Sequence, residues 1–156
     1  MDTDKDACEL LDADHIAVKH LFVEYARLAM AAPVESAGER QALAEKICSE
    51  LTVHAQIEEE IFYPALRQAL GADDLIDEAE AEHQQAKELI AQIQALGAAG
   101  PQMDDLVSLL ARAIEQHVKE ERDRLFTKAR SVSGLDLVEL AGQLKERQGE
   151  LQAQAA

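Results

Sequence analysis

Four histidines, each standing where an apolar residue is due on a different helical stripe, constrain this chain more than any other feature. Following apolar positions in steps of three or four residues gives Leu11, His15, Val18, Phe22 and Tyr25 in a first segment. A second runs Ile47, Leu51, His54, Glu58 and Ile61, and a third Ile76, Ala79, His83, Ala86, Ile90 and Ile93. The fourth is Val107, Leu110, Ile114, His117, Glu121 and Leu125. Each stripe must be buried against the others, so the expected fold is all-α, a four-helix bundle carrying imidazoles and carboxylates in its interior.

Helix breakers set the boundaries. Pro33 interrupts the first segment, and Ser36 with Glu39 offers a capping box for the second. Pro64 is expected to end or kink that second helix near Tyr63. Gly71 with Asp73 and Asp74 makes the next break, then Gly97, Gly100 and Pro101, then Ser133, Gly134 and Asp136. The spacing predicts helices over about 5–32, 37–69, 73–97, 102–130 and 135–152. Short links make successive helices antiparallel neighbours. A length of 156 residues suits one domain, read as a bundle over 1–132 and, over 133–156, a C-terminal amphipathic fifth helix packing on it. Trp is absent and aromatics reach only 3%, a composition that favours helix over strand.

Fifteen Lys and Arg against thirty-one Asp and Glu leave a formal charge of −16. That balance opposes phosphate neutralisation and repels anionic lipid, so neither nucleic acid nor membrane is an expected partner. Cys8 and Cys48 are too few for a disulfide framework, and the first residues lack the basic start and apolar run of a signal peptide, which makes the cytoplasm the expected location.

Burying Glu58 and Glu121 as ions would cost several kcal/mol each without a positive partner, on the order set by ion desolvation, and the stripes contain no Lys or Arg. A metal ion is the natural compensator. His54 with Glu58, and His117 with Glu121, share one helix face at i, i+4 spacing, so each pair can approach a common centre. The candidate metal ligands are therefore His15, His54, Glu58, His83, His117 and Glu121. His20, five residues after His15, turns to the surface. Lys87 stands one turn after His83, where another ligand would have stood, so the third helix supplies one ligand. Tyr25 and Tyr63 are secondary candidates for hydrogen bonding at the centre, and Glu24, Glu59, Glu120 and Asp123 for extra oxygen contacts. Cys8 and Cys48 read as ordinary reduced thiols.

The segments DADHIAVKHLF, HAQIEEEIFYPAL, AEHQQAKELI and HVKEERDRLF, in this order, resemble the hemerythrin-like HHE cation-binding family over nearly the whole chain. The resemblance implies an up-down-up-down bundle and a non-haem di-iron centre in which Glu58 and Glu121 bridge the ions, with zinc or manganese as substitutes. Oxygen-carrying hemerythrins have a second histidine on the third helix and a carboxylate five residues after the last His. This chain has Lys87 and Arg122 there, which argues against reversible oxygen carriage. Four imidazoles and two bridging carboxylates fill about eight of roughly twelve positions on two octahedral ions, so the site should be open. Two functions follow as expectations: a monomeric or weakly oligomeric module that binds or senses dioxygen, peroxide, nitric oxide or iron, or a di-iron enzyme that decomposes hydrogen peroxide or reduces nitric oxide. A bundle acting only through protein contacts is the alternative from another class.

Overall fold

Asp6 starts the first helix with a reciprocal cap that the boundary residues above did not single out. Its side chain accepts from the Glu9 N–H at 2.8 Å, and Glu9 accepts from the Asp6 N–H at 3.3 Å, which satisfies two donors a helix start would otherwise leave free. In this computed structural model, which describes residues 5–155, α1 runs Ala7–Ala31 and α2 Ala37–Ile57. The capping box expected at Ser36 does not form. The Ser36 hydroxyl donates to the Leu28 carbonyl at 3.2 Å and accepts from Arg40 at 2.9 Å. Arg40 explains the change: it is only 2% exposed, so its guanidinium needs acceptors, and it also reaches the Pro33 carbonyl and the Asp104 carboxylate.

Pro64 does not end the second helix. The path widens into a π turn at Glu58–Phe62, where the Tyr63 N–H reaches the Glu58 carbonyl, and continues as α3 (Tyr63–Leu70). Pro64 lies in the first turn of α3, where its missing N–H is tolerated. Gly71, at φ 80°, closes the segment, adopting a left-handed backbone that a Cβ would strain. Asp73 caps α4 (Asp74–Leu96) by accepting from the Leu75 N–H at 2.8 Å. α5 (Pro101–Glu120) opens into a second π turn, Glu121–Leu125, followed by α6 (Phe126–Ser131) and α7 (Leu137–Ala155).

α1 packs on α2 and α5, and α4 on the same two helices, which closes a four-membered antiparallel ring. α7 lies against α1, α2 and the first π turn. Each π turn adds a residue to the helical repeat, so the buried stripe of the second helix shifts after Glu58. Phe62, at 0% exposure, takes the inward place expected of Ile61, which is half-buried. Among the described residues, no helix is long and apolar enough to cross a membrane.

The apolar core falls into two parts. One gathers Leu11, Ile57, Phe62, Leu66, Ile76 and Leu144 near α7, and the other Val18, Ile47, Ile90, Met103, Val107 and Leu110 toward the opposite end. Between them lies a polar layer at residues 15, 54, 58, 83, 117 and 121.

Candidate metal centre

All six residues singled out from the stripes are in that layer, and all are buried. His15 comes from α1, His54 from the last turn of α2, His83 from mid-α4 and His117 from the last turn of α5. Glu58 and Glu121 each open a π turn. One ligand atom each from His15, His54, Glu58 and Glu121 lie within 4.8 Å of one another, and so do atoms of Glu58, His83 and His117. Two groups that share a carboxylate are what a pair of ions would need.

The histidine pairs of the two halves repeat one geometry, whereas the two carboxylates meet them differently. His15 and His54 have ring centroids 4.8 Å apart at 61°, and His83 and His117 repeat both values. Glu121 spans the halves, with Oε1 3.1 Å from His15 Nε2 and Oε2 3.3 Å from His117 Nε2. Glu58 Oε1 lies 3.1 Å from both His54 Nε2 and His83 Nε2.

Every imidazole turns Nε2 inward and Nδ1 outward to a carboxylate. His15 Nδ1 is 3.2 Å from Asp12, His54 Nδ1 3.0 Å from Asp14, His83 Nδ1 2.8 Å from Glu59, and His117 Nδ1 2.8 Å from Glu82. An Nδ1–H donated outward leaves the Nε2 lone pair aimed at the centre and makes it more basic, the arrangement metal-binding histidines adopt. Asp14 and Glu82 each precede the first histidine of one hairpin and serve the second. Two outer carboxylates are themselves paired with cations, Asp12 with Arg122 and Glu59 with Lys87. The two positions that depart from the oxygen-carrier pattern thus support His15 and His83 from outside.

The inner atoms are less well provided. Glu58 Oε1 and Oε2, Glu121 Oε1 and His117 Nε2 are buried with no hydrogen-bond partner, although imidazole nitrogens approach within 3.3 Å. Orphaned atoms of this kind cost about 1–3 kcal/mol each, more when charged, and a cation among them would remove the cost. Their donor chemistry, nitrogen with carboxylate oxygen, fits first-row transition metals. Without metal, protons fill the role. Burial disfavours charge on His54, but the Glu58 carboxylate and Asp14 outweigh it and hold the ring well above its ordinary value. Burial likewise opposes His117, and contacts with Glu121 and Glu82 raise it to about 10. For Glu121, burial is overcome by His117 and His15, and the carboxyl is held well below the usual range. Glu58 is also lowered, against burial and the charge of Glu121, by the charge of His54.

The secondary candidates separate cleanly. The Tyr63 hydroxyl enters the centre: it donates to Glu121 Oε2 at 2.8 Å and lies 3.2 Å from His83 Nε2. Burial, then the charges of Glu121 and Glu58, push its pKa well up. Tyr25 does not enter, and donates to Asp104 at 2.7 Å in the Arg40 knot. Of the extra acids, Glu59 orients His83, while Glu24 pairs with Arg27 on the surface, Glu120 accepts from Gln116, and Asp123 and His20 are exposed. Asp12, Asp14 and Glu82 were not anticipated. The signal for Asp14 and Glu82 was present as the acid directly before His15 and His83. A groove of about 540 Å³ between α1 and α5, walled by Phe22, Val23 and Ile114 with Lys19 and Lys119 at its rim, reaches His15.

A ring of four antiparallel helices with imidazoles and carboxylates gathered in a buried layer defines a cation-binding bundle. The Hemerythrin HHE cation binding domain matches residues 6–129, and the chain belongs to that family. Among solved structures it is similar to a Hemerythrin HHE cation binding domain-containing protein of Mycobacterium kansasii, an Rv2633c homolog. That likeness is at 27% identity and a TM-score of 0.79, over 97% of this chain and 90% of that one. It is also 31% identical over 126 residues, 79% of its own length, to a protein of Nostoc sp. (strain PCC 7120 / SAG 25.82 / UTEX 2576) named as a DNA nickase. The chain spans 33% of that relative.

Proposed function

We propose that this protein holds two non-haem iron ions, one between His15 and His54 and one between His83 and His117, bridged by Glu58 and Glu121, and that the pair binds or senses a small oxidant. The observation that carries this reading is the set of orphaned carboxylate oxygens and the imidazole nitrogen between the two apolar half-cores. Cations placed among them would relieve all of them together. Iron so held would supply redox electrons and open positions for dioxygen, peroxide or nitric oxide. The chain's own residues keep the Nε2 lone pairs converging and exclude bulk water, and the groove beside His15 gives a small molecule its approach. In this reading the bundle, described over residues 5–132, is the functional part, and the C-terminal helix is its addition. With a charge of −16, DNA is not among the partners proposed.

The test is elemental analysis of protein purified without chelators, together with its visible spectrum. Two irons per chain and a band that changes with azide, peroxide or reductant are expected. Fewer than one bound metal per chain, or a spectrum indifferent to every ligand, overturns the reading. His54→Ala should remove one ion while far-UV circular dichroism stays helical.

Tyr63 favours a second reading, an enzyme turning over peroxide or nitric oxide. Its hydroxyl holds a proton against Glu121 inside a site otherwise composed of lone pairs, which is where a proton-consuming reduction would draw one. Tyr63→Phe should then lower turnover by roughly 10²–10⁴-fold, the range for a positioned acid, without loss of metal. Unchanged turnover would remove this reading.

A further inference from the structure

The four outer carboxylates are not equivalent, and the difference lies in the C-terminal helix. Gln148 donates from Nε2 to Asp14 Oδ2 at 3.0 Å, and the same oxygen lies 3.0 Å from His54 Nδ1. Beside it, Arg147 reaches Glu60 at 2.8 Å, inside the π turn that begins with Glu58. Apolar contacts hold the helix in place, since Leu140, Leu144 and Leu151 are buried in the half-core nearest α7. On the other half of the centre, Glu82 plays toward His117 the part Asp14 plays toward His54, but α7 packs on α1, α2 and the first π turn.

We propose that α7 is a positioning element of the centre: through Gln148 and Asp14 it sets the His54 imidazole, so that the His15/His54 half holds its ion tightly only with α7 docked. The proposal rests on the reading that each half takes one ion. Asp14 is 24% exposed in its side chain, and without the Gln148 donor it is free to turn toward solvent and release the His54 ring. Outer partners of metal-bound histidines are worth about 10–100-fold in affinity, and one step further out the low end of that range applies. Binding coupling is reciprocal, so an ion in this half also strengthens the docking of α7. The fifth helix then reports whether that half is filled.

The experiment titrates the full chain with cobalt(II) under anaerobic conditions, read by visible absorption and calorimetry. Hydrogen exchange across residues 137–155 is followed alongside. In the unaltered protein two ions bind, and exchange through α7 slows as they do. Gln148→Leu should weaken one of the two ions about tenfold, leave the other unchanged, and blunt the slowing of exchange. Gln148→Lys, which retains a donor toward Asp14, should restore both. Equal weakening of the two ions, no weakening of either, or α7 exchange indifferent to cobalt in the unaltered protein overturns the proposal. The exchange result on the unaltered chain stands whether or not the variants fold. Failure of the unaltered protein to bind cobalt would sink the metal reading itself, whereas two normal ions with an indifferent Gln148→Leu would sink this inference alone.

Discussion

At His54 and His117, under the proposed reading, a proton and a metal ion would compete for the same nitrogen, and the competition has a sign. Both rings have folded pKa values above the ordinary 6.5 in the metal-free protein. Their contribution to metal-free stability is therefore complete below that value and is lost as pH rises through the folded values, about 10 for His117. Glu58 and Glu121, held below 4.5, contribute stability that is present above it and lost as pH falls through their folded values. Thermal melts of metal-free protein should peak between about pH 4.5 and 6.5 and decline toward pH 9. A metal-free melting temperature that climbs steadily through that range would contradict this. Metal affinity should run the other way, rising by up to about tenfold per pH unit for each proton displaced. The cysteines offer a separate check: burial, above all, raises the Cys8 thiol to about 12 and Cys48 to about 11. Iodoacetamide at pH 8 should leave both unmodified until urea unfolds the chain. The six inward residues were legible in the sequence because helical periodicity places side chains relative to their own axis. Asp14 and Glu82 were marked only by standing directly before a histidine, because each acts on a histidine of a neighbouring helix and own-helix periodicity says nothing of that. Tyr63 was separable from Tyr25 only with the cross-helix contacts in hand.

The helices themselves were readable from glycine, proline and aspartate, and five predicted segments correspond to the observed ones within a few residues. The π turns were not readable, since an extra residue in a repeat leaves no composition signal and shows only as a shifted stripe at Ile61 and Phe62. That shift has a function in packing: it brings Phe62, Tyr63 and Leu66 inward after Glu58 has been delivered to the centre. Deleting Glu60, an exposed residue of the first π turn, should return the helix to its regular repeat with Phe62, Tyr63 and Leu66 still facing inward, so the change falls on the turn that carries Glu58. Weakened metal binding with a cooperative transition retained is expected, while a deletion variant that binds metal like the parent would show the turn to be incidental. The Arg40 knot was hidden for a similar reason, because its acceptors are divided between the link before α2, with Pro33 and Ser36, and Asp104 on α5. Arg40→Ala removes a buried charge from its partners and should cost roughly 3 kcal/mol, measured by urea denaturation, without altering metal stoichiometry.

Over the whole molecule the polar layer is a weakness in the metal-free state and a strength in the loaded one. An ion present at 100 times its Kd adds about 2.7 kcal/mol to stability, so a chelator should lower the melting temperature and iron(II) or cobalt(II) should restore it. An unshifted transition would mean the layer binds nothing. The likeness of the two halves in their ligand sets has a further consequence. α1 with α2 and its π turn supplies two imidazoles and one carboxylate, and α4 with α5 and its π turn supplies the same set, so neither hairpin can surround an ion pair alone. The short link at residues 71–73 joins them, and Gly71 and Ala72 in it are exposed. If the proposed pair of ions is held between them, a chain cut there would become two fragments whose reunion depends on those ions, and fragment complementation would then serve as a gauge of available metal.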